Sequence, residues 1–110
     1  MVDPKSIGEV GERIAREFHP DRIVLFGSHA HGTAGEDSDV DLLVIMPFEG
    51  KAVAKSVEIR LKVRPGFPLD LLVRTPEKVR ERLAMGDGFM REILETGKVL
   101  YEADDGGVDR

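Results

Sequence analysis

The sequence predicts a single small α+β domain in which helices and short strands alternate. Its 110 residues are 41% hydrophobic and 34% charged, a length and balance typical of one globular unit. Short apolar runs bounded by glycine, proline or aspartate are typical of buried strands, and apolar residues at helical spacing are typical of helices on a core. Both patterns recur here, so residues 1–103 are predicted to form one domain and residues 104–110 a disordered tail.

The first half of the chain is predicted to contain one helix and two strands. Asp3 and Pro4 suit a helix cap and a first helical position, and apolar residues at helical spacing follow over 4–18. The stretch that separates the two strands is rich in glycine, serine and histidine and is predicted to be a loop with room for one helical turn. The strands are predicted over 22–26 and 39–46, and the loop over 27–38.

The second half is predicted to add three helical segments and two strands. A long helix over 51–63 would place Val53, Val57 and Leu61 on its core-facing stripe. The later elements are predicted as a strand over 68–73, a helix from Thr75 to about Leu83, a helical segment over 89–94 and an edge strand over 98–102. One face of the segment over 89–94 is interpreted as core, although it could also dock a partner; it comprises Phe89, Met90, Ile93 and Leu94.

The composition excludes several classes of function. The chain has no cysteine, which excludes disulfides, cysteine-ligated metal sites and a thiol nucleophile. Its net charge of -5 argues against a surface that coats nucleic acid, so no direct nucleic-acid binding is expected. The sequence shows neither an apolar run of membrane-spanning length nor an export signal, so we expect a cytoplasmic protein without a membrane partner.

The most informative motif is Gly27-Ser28 followed, after ten residues, by Asp39-Val40-Asp41. The glycine ends one apolar run and the aspartates begin another, which puts a loop that can approach phosphate beside two carboxylates. In a strand, residues two apart point to the same side with backbone positions about 6.6 Å apart, so both carboxylates can reach shared cations. The motif therefore predicts a metal site beside a phosphate-binding loop.

Asp70 lies alone in the third apolar strand and is the third candidate ligand. Like charges gathered among apolar strands are unfavourable unless cations neutralise them. Carboxylate oxygens are hard ligands, so the predicted ions are Mg²⁺ or Mn²⁺, completed by water and substrate phosphates. Two such ions about 3.5–4 Å apart can activate a hydroxyl and stabilise a leaving pyrophosphate, which is the chemistry of nucleotidyl transfer.

Gly27-Ser28, the ten-residue gap, Asp39-Val40-Asp41 and the later Asp70 resemble the DNA polymerase beta superfamily of nucleotidyltransferases. The small size resembles the minimal nucleotidyltransferases, which act as the antitoxin half of pairs with HEPN-domain toxins. The resemblance covers residues 5–102 and implies a mixed β-sheet flanked by helices.

The resemblance also implies a site and a reaction. Asp39 and Asp41 would bind both Mg²⁺ ions, Asp70 would serve the catalytic one, and all three would be catalytic residues. Gly27 and Ser28 would hold the phosphates of ATP. The reaction would move AMP from ATP to a tyrosine hydroxyl of a HEPN toxin within a hetero-oligomer, releasing pyrophosphate and silencing a ribonuclease.

His31 departs from the family pattern, which often reads Gly-Ser-x-Ala-Arg-Gly where this chain reads Gly-Ser-His-Ala-His-Gly. Arginine is a permanently charged, bidentate phosphate donor, whereas histidine is only partly charged at neutral pH. We expect His31 to contact phosphate in place of the arginine. A His31→Arg variant with the same ATP affinity between pH 6 and 8 would contradict this expectation.

Two further readings remain open. The chain could be a non-catalytic nucleotide-binding module that neutralises its partner by masking it, and His31 is the best support for that reading. Transfer to a small molecule such as an aminoglycoside is a weaker alternative, because related enzymes of that kind use additional protein that this chain lacks.

Overall fold

The computed structural model describes residues 2–103, and the predicted tail over 104–110 lies outside the described residues. The predicted elements are all present, with bounds that differ by at most two residues, and the loop over 27–38 does hold one helical turn. In chain order the elements are α1 (Pro4–Phe18), β1 (Arg22–Phe26), α2 (Ser28–His31), β2 (Val40–Ile45), α3 (Ala52–Val63), β3 (Leu69–Arg74), α4 (Pro76–Ala84), α5 (Gly88–Thr96) and β4 (Lys98–Glu102).

The four strands form one mixed sheet in the order β3-β2-β1-β4. Strand β1 pairs antiparallel with both β2 and β4, and β2 pairs parallel with β3. The expected α+β class, a mixed sheet flanked by helices, is therefore confirmed. Strand β4 lies at one edge, as predicted, and β3 lies at the other.

Each face of the sheet is covered by a different pair of helices. Alternate residues of a strand point to opposite faces, so each strand contributes to two cores. One face packs on α1 and α3 through buried residues such as Ile14 and Ile59. The other face packs on α4 and α5 through buried residues such as Val79 and Ile93. Both layers pack on β1 and β2, and the motif residues lie at the end of β1 and the start of β2.

The predicted core stripe of α3 is wrong. Val53 and Leu61 are 73% and 69% exposed, and Val57 is also exposed. The residues of α3 that pack on the sheet are Ile59 and Val63, which are fully buried. Because α3 carries apolar residues on two faces, the opposite face from the predicted one was selected by packing against α1 and β3.

The predicted core face of α5 is only partly right. Met90 and Ile93 are buried and Leu94 packs against them, whereas Phe89 is 57% exposed. The Phe89 ring meets the Phe26 ring edge-on, with ring centroids 5.8 Å apart. Phe89 therefore stands at the margin of the core, above the end of β1.

The junction between α5 and β4 is unusually tight. Gly97 connects the two elements, and a Cβ atom built there would lie 2.8 Å from the carbonyl oxygen of Leu25 and would also meet Val24. Only glycine lets the chain turn this closely against β1.

Within residues 2–103, no helix has the length and apolar character needed to cross a lipid bilayer.

Candidate active site

The motif residues come together at one end of the sheet. In the register of the strands, Phe26 is paired with Asp41, and Asp41 is paired with Asp70 on the next strand. The parallel pairing of β2 with β3 puts the two aspartates side by side on the face that α4 and α5 cover. This register places Asp41 and Asp70 next to each other on neighbouring strands.

Gly27 brings the loop after β1 against Asp41. Its φ of 78° and ψ of -157° lie in a region that is essentially restricted to glycine. A Cβ atom at this position would overlap Oδ2 of Asp41. The backbone therefore approaches the carboxylate in a way that no other residue type permits, and α2 begins immediately afterwards at Ser28.

Asp41 lies in an electrostatic environment that disfavours its charge. Partial burial raises the pKa of its carboxyl group, and the negative charges of Asp70 and Asp39 raise it further. The nearby His29 opposes the shift. Such repulsion between carboxylates is relieved when a cation binds between them.

Asp39 lies one residue before β2 and is exposed, as is Asp70. Among residues 2–103, no three histidine or acidic side chains converge closely enough to hold a metal by themselves. Mg²⁺ is usually held by one or two carboxylates together with water and substrate phosphates, so a complete protein cage is not required. The carboxylate oxygens of Asp39, Asp41 and Asp70 are hard donors of the kind that Mg²⁺ prefers.

The two histidines of the loop occupy different environments. Nε2 of His29 lies 3.2 Å from the carbonyl oxygen of Ser38, and the hydroxyl of Ser38 accepts a hydrogen bond from the backbone N–H of Gly35. His31 is exposed at the end of α2 and borders a small cavity beside Gly27. The sequence analysis assigned His29 no role, so it missed the electrostatic effect of this residue on Asp41; the place of His29 directly after Gly27-Ser28 was the available signal.

Comparisons with known proteins show the family to which the chain belongs. The pattern of the family described as nucleotidyltransferase domain matches residues 7–101. The chain belongs to this family. It is 31% identical over 103 residues to the candidate protein adenylyltransferase MJ0604 of Methanocaldococcus jannaschii, a match that covers 92% of this chain and all of that protein. A second candidate protein adenylyltransferase of that organism, MJ0141, is 36% identical over 53 residues, 48% of this chain and 54% of its own length.

Solved structures share the nucleotidyltransferase fold with this chain at low sequence identity. A candidate nucleotidyltransferase from Sulfolobus solfataricus matches with a TM-score of 0.63 at 19% identity, over 91% of this chain and 80% of its own. A toxin–antitoxin with AMP-PNP matches with a TM-score of 0.62 at 21% identity, over 90% of this chain and 76% of the matched chain. A mutant of the toxin–antitoxin MntA–HpeT matches with a TM-score of 0.57 at 19% identity, over 96% of this chain and 77% of the matched chain.

Proposed function

We propose that this nucleotidyltransferase moves AMP from ATP to a hydroxyl group of a partner protein, with Mg²⁺ as its cofactor. The observation that carries the proposal is the contact between the Gly27 backbone and the Asp41 carboxylate, with Asp70 paired beside it. A glycine loop against one carboxylate, with a second carboxylate on the neighbouring strand, suits phosphoryl chemistry. The relative MJ0604, matched along its whole length, carries the name of a candidate protein adenylyltransferase, which supports AMP as the transferred group.

Each residue of the site has a distinct role in this proposal. The Ser28 hydroxyl and the backbone N–H groups that follow Gly27 donate to the phosphates of ATP, and His31 adds a donor at the end of α2. Asp39, Asp41 and Asp70 would hold Mg²⁺, which would supply charge neutralisation at the phosphates and at the attacking oxygen.

The transfer is a single displacement at the α-phosphorus of ATP. The acceptor oxygen forms a bond to that phosphorus while the bond to the oxygen bridging the α- and β-phosphates breaks. Pyrophosphate leaves with that oxygen, and the proton of the acceptor hydroxyl passes to the carboxylate of Asp70. The exposure of Asp70 at the edge strand leaves it reachable by an acceptor that approaches from outside.

We further propose that the partner is a HEPN-domain toxin and that the acceptor is one of its tyrosines. Two structures with this fold are toxin–antitoxin complexes, which supports a toxin as the partner. The chain would then be the antitoxin of a cytoplasmic hetero-oligomer. The HEPN identity and the tyrosine come from the family resemblance carried by the Gly27-Ser28 and aspartate motif.

A non-catalytic masking module is the second candidate function. The exposed stripe of Val53, Val57 and Leu61 on α3 favours it, because apolar side chains left in solvent on one helix face can contact a partner without chemistry. In that case the partner would be neutralised by contact alone, and substitutions at Asp41 would leave neutralisation intact.

The deciding experiment incubates the protein with a HEPN partner, Mg²⁺ and ATP labelled at the α-phosphate. Wild type is compared with Asp41→Asn and with Asp37→Asn, a matched control in the exposed loop before β2. The proposal expects the partner to gain whole AMP units by intact mass with wild type and the control but not with Asp41→Asn. Neutralisation of the partner without added mass would establish the masking module instead.

Metal binding has its own test. Mg²⁺ that binds the folded protein raises its melting temperature by mass action, so wild type should melt higher with Mg²⁺ and AMP-PNP than with EDTA and AMP-PNP. The shift should be absent in Asp41→Asn and retained in Asp37→Asn. An equal shift in all three proteins would place the ion elsewhere.

A further inference from the structure

The solvent-facing side of α3 carries an apolar row, which we call the α3 stripe. Within residues 2–103, six large apolar side chains are exposed, and three of them form this stripe: Val53, Val57 and Leu61. Their spacing of i, i+4 and i+8 makes a continuous row about 12 Å long on one side of the helix. The other three lie apart from one another, on α5, on β4 and after α4. A row of this kind is what a helix contributes to a contact with a second amphipathic helix.

The margin of the α3 stripe is positively charged. Arg60, Lys62 and Arg64 are exposed in the last turn of the helix and directly after it. The only acidic residue of α3 is Glu58, which forms an ion pair with Lys55 at 2.9 Å. The chain as a whole has a net charge of -5, so this end of α3 is a positive area on an acidic protein. Such an area attracts an acidic partner and repels a basic one.

The positive charges of this margin are not neutralised within residues 2–103. No ion pair among these residues includes Arg60 or Arg64. Arg60 donates one hydrogen bond to the backbone carbonyl of Leu69, and a guanidinium group has further N–H groups for other acceptors. Lys62 lies 3.7 Å from Glu17, but both side chains are exposed, where such a pair contributes little. The two arginines can therefore bind carboxylates of another protein.

The positive end of the α3 stripe lies at the same end of the sheet as the candidate active site. Strands β2 and β3 run parallel, and Asp41 and Asp70 are paired near their first residues. Residues 64–68 lead directly from the end of α3 to the start of β3. The hydrogen bond from Arg60 reaches the carbonyl of Leu69, the residue that precedes Asp70. A protein that binds along the stripe is therefore held at the end of the molecule where Asp70 is exposed.

We propose that the α3 stripe is the surface on which the acceptor protein docks, through an amphipathic helix with acidic residues beside its apolar face. The proposal rests on the proposed function and adds the surface that holds the partner. Val57 lies at the centre of the contact, and acidic side chains of the partner meet Arg60 and Arg64. A second copy of this chain fits less well, because it would bring the same positive margin against itself. Docking raises the local concentration of the acceptor near Asp70 and takes no part in the transfer step.

Docking is tested apart from the chemistry. The probe is a fluorescein-labelled helical peptide with a row of leucines flanked by glutamates, and its affinity is measured by fluorescence anisotropy without nucleotide. Val57→Asp puts a charge in the middle of the apolar contact and should weaken binding about tenfold, which corresponds to about 1.4 kcal/mol. Arg64→Glu should weaken binding at low ionic strength, and its effect should shrink at high salt, where exposed charges are screened.

Val99→Asp is the matched control for Val57→Asp. Val99 is also an exposed valine, but it lies on β4, at the edge of the sheet away from β3, on which α3 packs. Its affinity for the peptide should stay within about twofold of wild type, because a surface substitution outside the contact changes little. Thermal melts of all three variants should match wild type, since the substituted side chains are exposed.

Four results would overturn the docking surface. One is an affinity of wild type for the glutamate peptide that is no higher than for a peptide with lysines in their place. The second is an equal loss of affinity in Val57→Asp and Val99→Asp. The third is a wild-type dimer, measured by sedimentation, that Val57→Asp dissociates, which would assign the stripe to a second copy. The fourth is binding of wild type to phosphatidylserine vesicles that Val57→Asp abolishes, which would assign it to a membrane.

Failure of the proposed function gives a different result. In transfer of labelled AMP to the HEPN partner, Val57→Asp should raise the KM for the partner and leave kcat near wild type, because docking acts on binding alone. Asp41→Asn should lose transfer at every partner concentration. If the partner binds wild type more tightly than Val57→Asp and gains no AMP from either, docking stands and the transfer reaction is wrong. If both proteins modify the partner with the same KM, the transfer stands and the docking surface is wrong.

Discussion

Two glycines flank the helical turn α2, and only Gly27 is packed against an acidic side chain. Both have positive φ, 78° at Gly27 and 74° at Gly32, but a Cβ atom at Gly32 would meet nothing within 4 Å. We expect Gly32→Ala to lower the free energy of unfolding by about 1–2 kcal/mol through backbone strain alone. Gly27→Ala adds an overlap with Asp41 and should abolish AMP transfer as well.

The measurement for these variants pairs urea denaturation with label transfer to the partner. Transfer per folded molecule should be near wild type for Gly32→Ala and lost for Gly27→Ala. Equal transfer by the two variants would mean that the close approach of the loop to Asp41 has no role in the reaction.

At the scale of single residues, the sequence was most informative where the residue type and the alternation of side chains along a strand indicate the same role. The approach of Gly27 to Asp41 could be predicted, because Gly27 ends one apolar run and Asp41 stands at the start of the next. The pairing of Asp70 with Asp41 could not, because it depends on the strand order of the sheet. The exposure of Asp39 could not be predicted, since it depends on where β2 begins, one residue later than expected. The influence of His29 depends on the path of an irregular loop, which no periodicity encodes.

The helix α3 offers a direct test of which of its faces packs on the sheet. Ile59 is fully buried, so Ile59→Ala should lower the free energy of unfolding by about 2–5 kcal/mol through lost burial and a residual cavity. Leu61, two residues away, is largely exposed, so Leu61→Ala should change it by less than about 0.5 kcal/mol. Urea denaturation of the two variants measures both values, and similar losses would restore the predicted stripe.

The error on α3 has a simple physical origin. Val53, Val57 and Leu61 follow a helical spacing, and so do Ile59 and Val63. Periodicity identifies a helix and its apolar rows, but it cannot choose between two rows. The choice was made by the shape of the groove between α1 and β3, which is a property of the assembled layers.

The start of α5 is held by a charged cap that makes stability depend on pH. Oδ1 of Asp87 accepts a hydrogen bond from the backbone N–H of Met90 at 3.1 Å. Its Oδ2 accepts one from Nε of Arg82 on α4 at 2.9 Å. The hydrogen bond from the Met90 N–H is the largest cause that lowers the pKa of Asp87 from its usual 3.8, and the hydrogen bond from Arg82 is the second. A lowered folded-state pKa means that the charged cap stabilises the fold above 3.8 and loses this effect as pH falls through the folded-state value.

Asp87→Asn isolates this charge, because asparagine is as good a cap acceptor as aspartate. The variant should melt below wild type at neutral pH, and the difference should shrink once the pH falls below 3.8 and then disappear. Glu95→Gln, an exposed change on the same helix, should show no such pH-dependent difference. Thermal melts across the acid range measure it, and a constant offset at every pH would rule out the charge as the cause.

For the molecule as a whole, one sheet separates two cores, and we expect substitutions in them to affect the reaction differently. Ile14 belongs to the layer of α1 and α3, whereas Ile93 anchors α5, which carries Phe89 above the active site. Ile14→Ala and Ile93→Ala should each cost about 2–5 kcal/mol of folding free energy. At a temperature where both remain folded, transfer to the partner should fall in Ile93→Ala and persist in Ile14→Ala. Equal transfer would show that the position of α5 does not matter to the reaction.

A cavity between the sheet, α4 and α5 also belongs to this scale. Its walls come from Phe48, Leu72, Lys78 and Phe89, which lie on four separate segments of the chain. Sequence spacing within one element could place each helix and strand, and it predicted the α+β class correctly. It could not predict the space left between elements, because that space depends on how helices of particular lengths lie across a twisted sheet.

The tight junction at Gly97 has a consequence for how the protein is made. The strand that follows it, β4, is synthesised after the other elements, yet it pairs with β1, which belongs to the first quarter of the chain. Until β4 emerges, β1 presents an open edge whose backbone groups can pair with strands of other chains. The nascent protein therefore completes its sheet only when Gly97 has turned against Leu25, and a side chain at that position would delay closure of the sheet during synthesis.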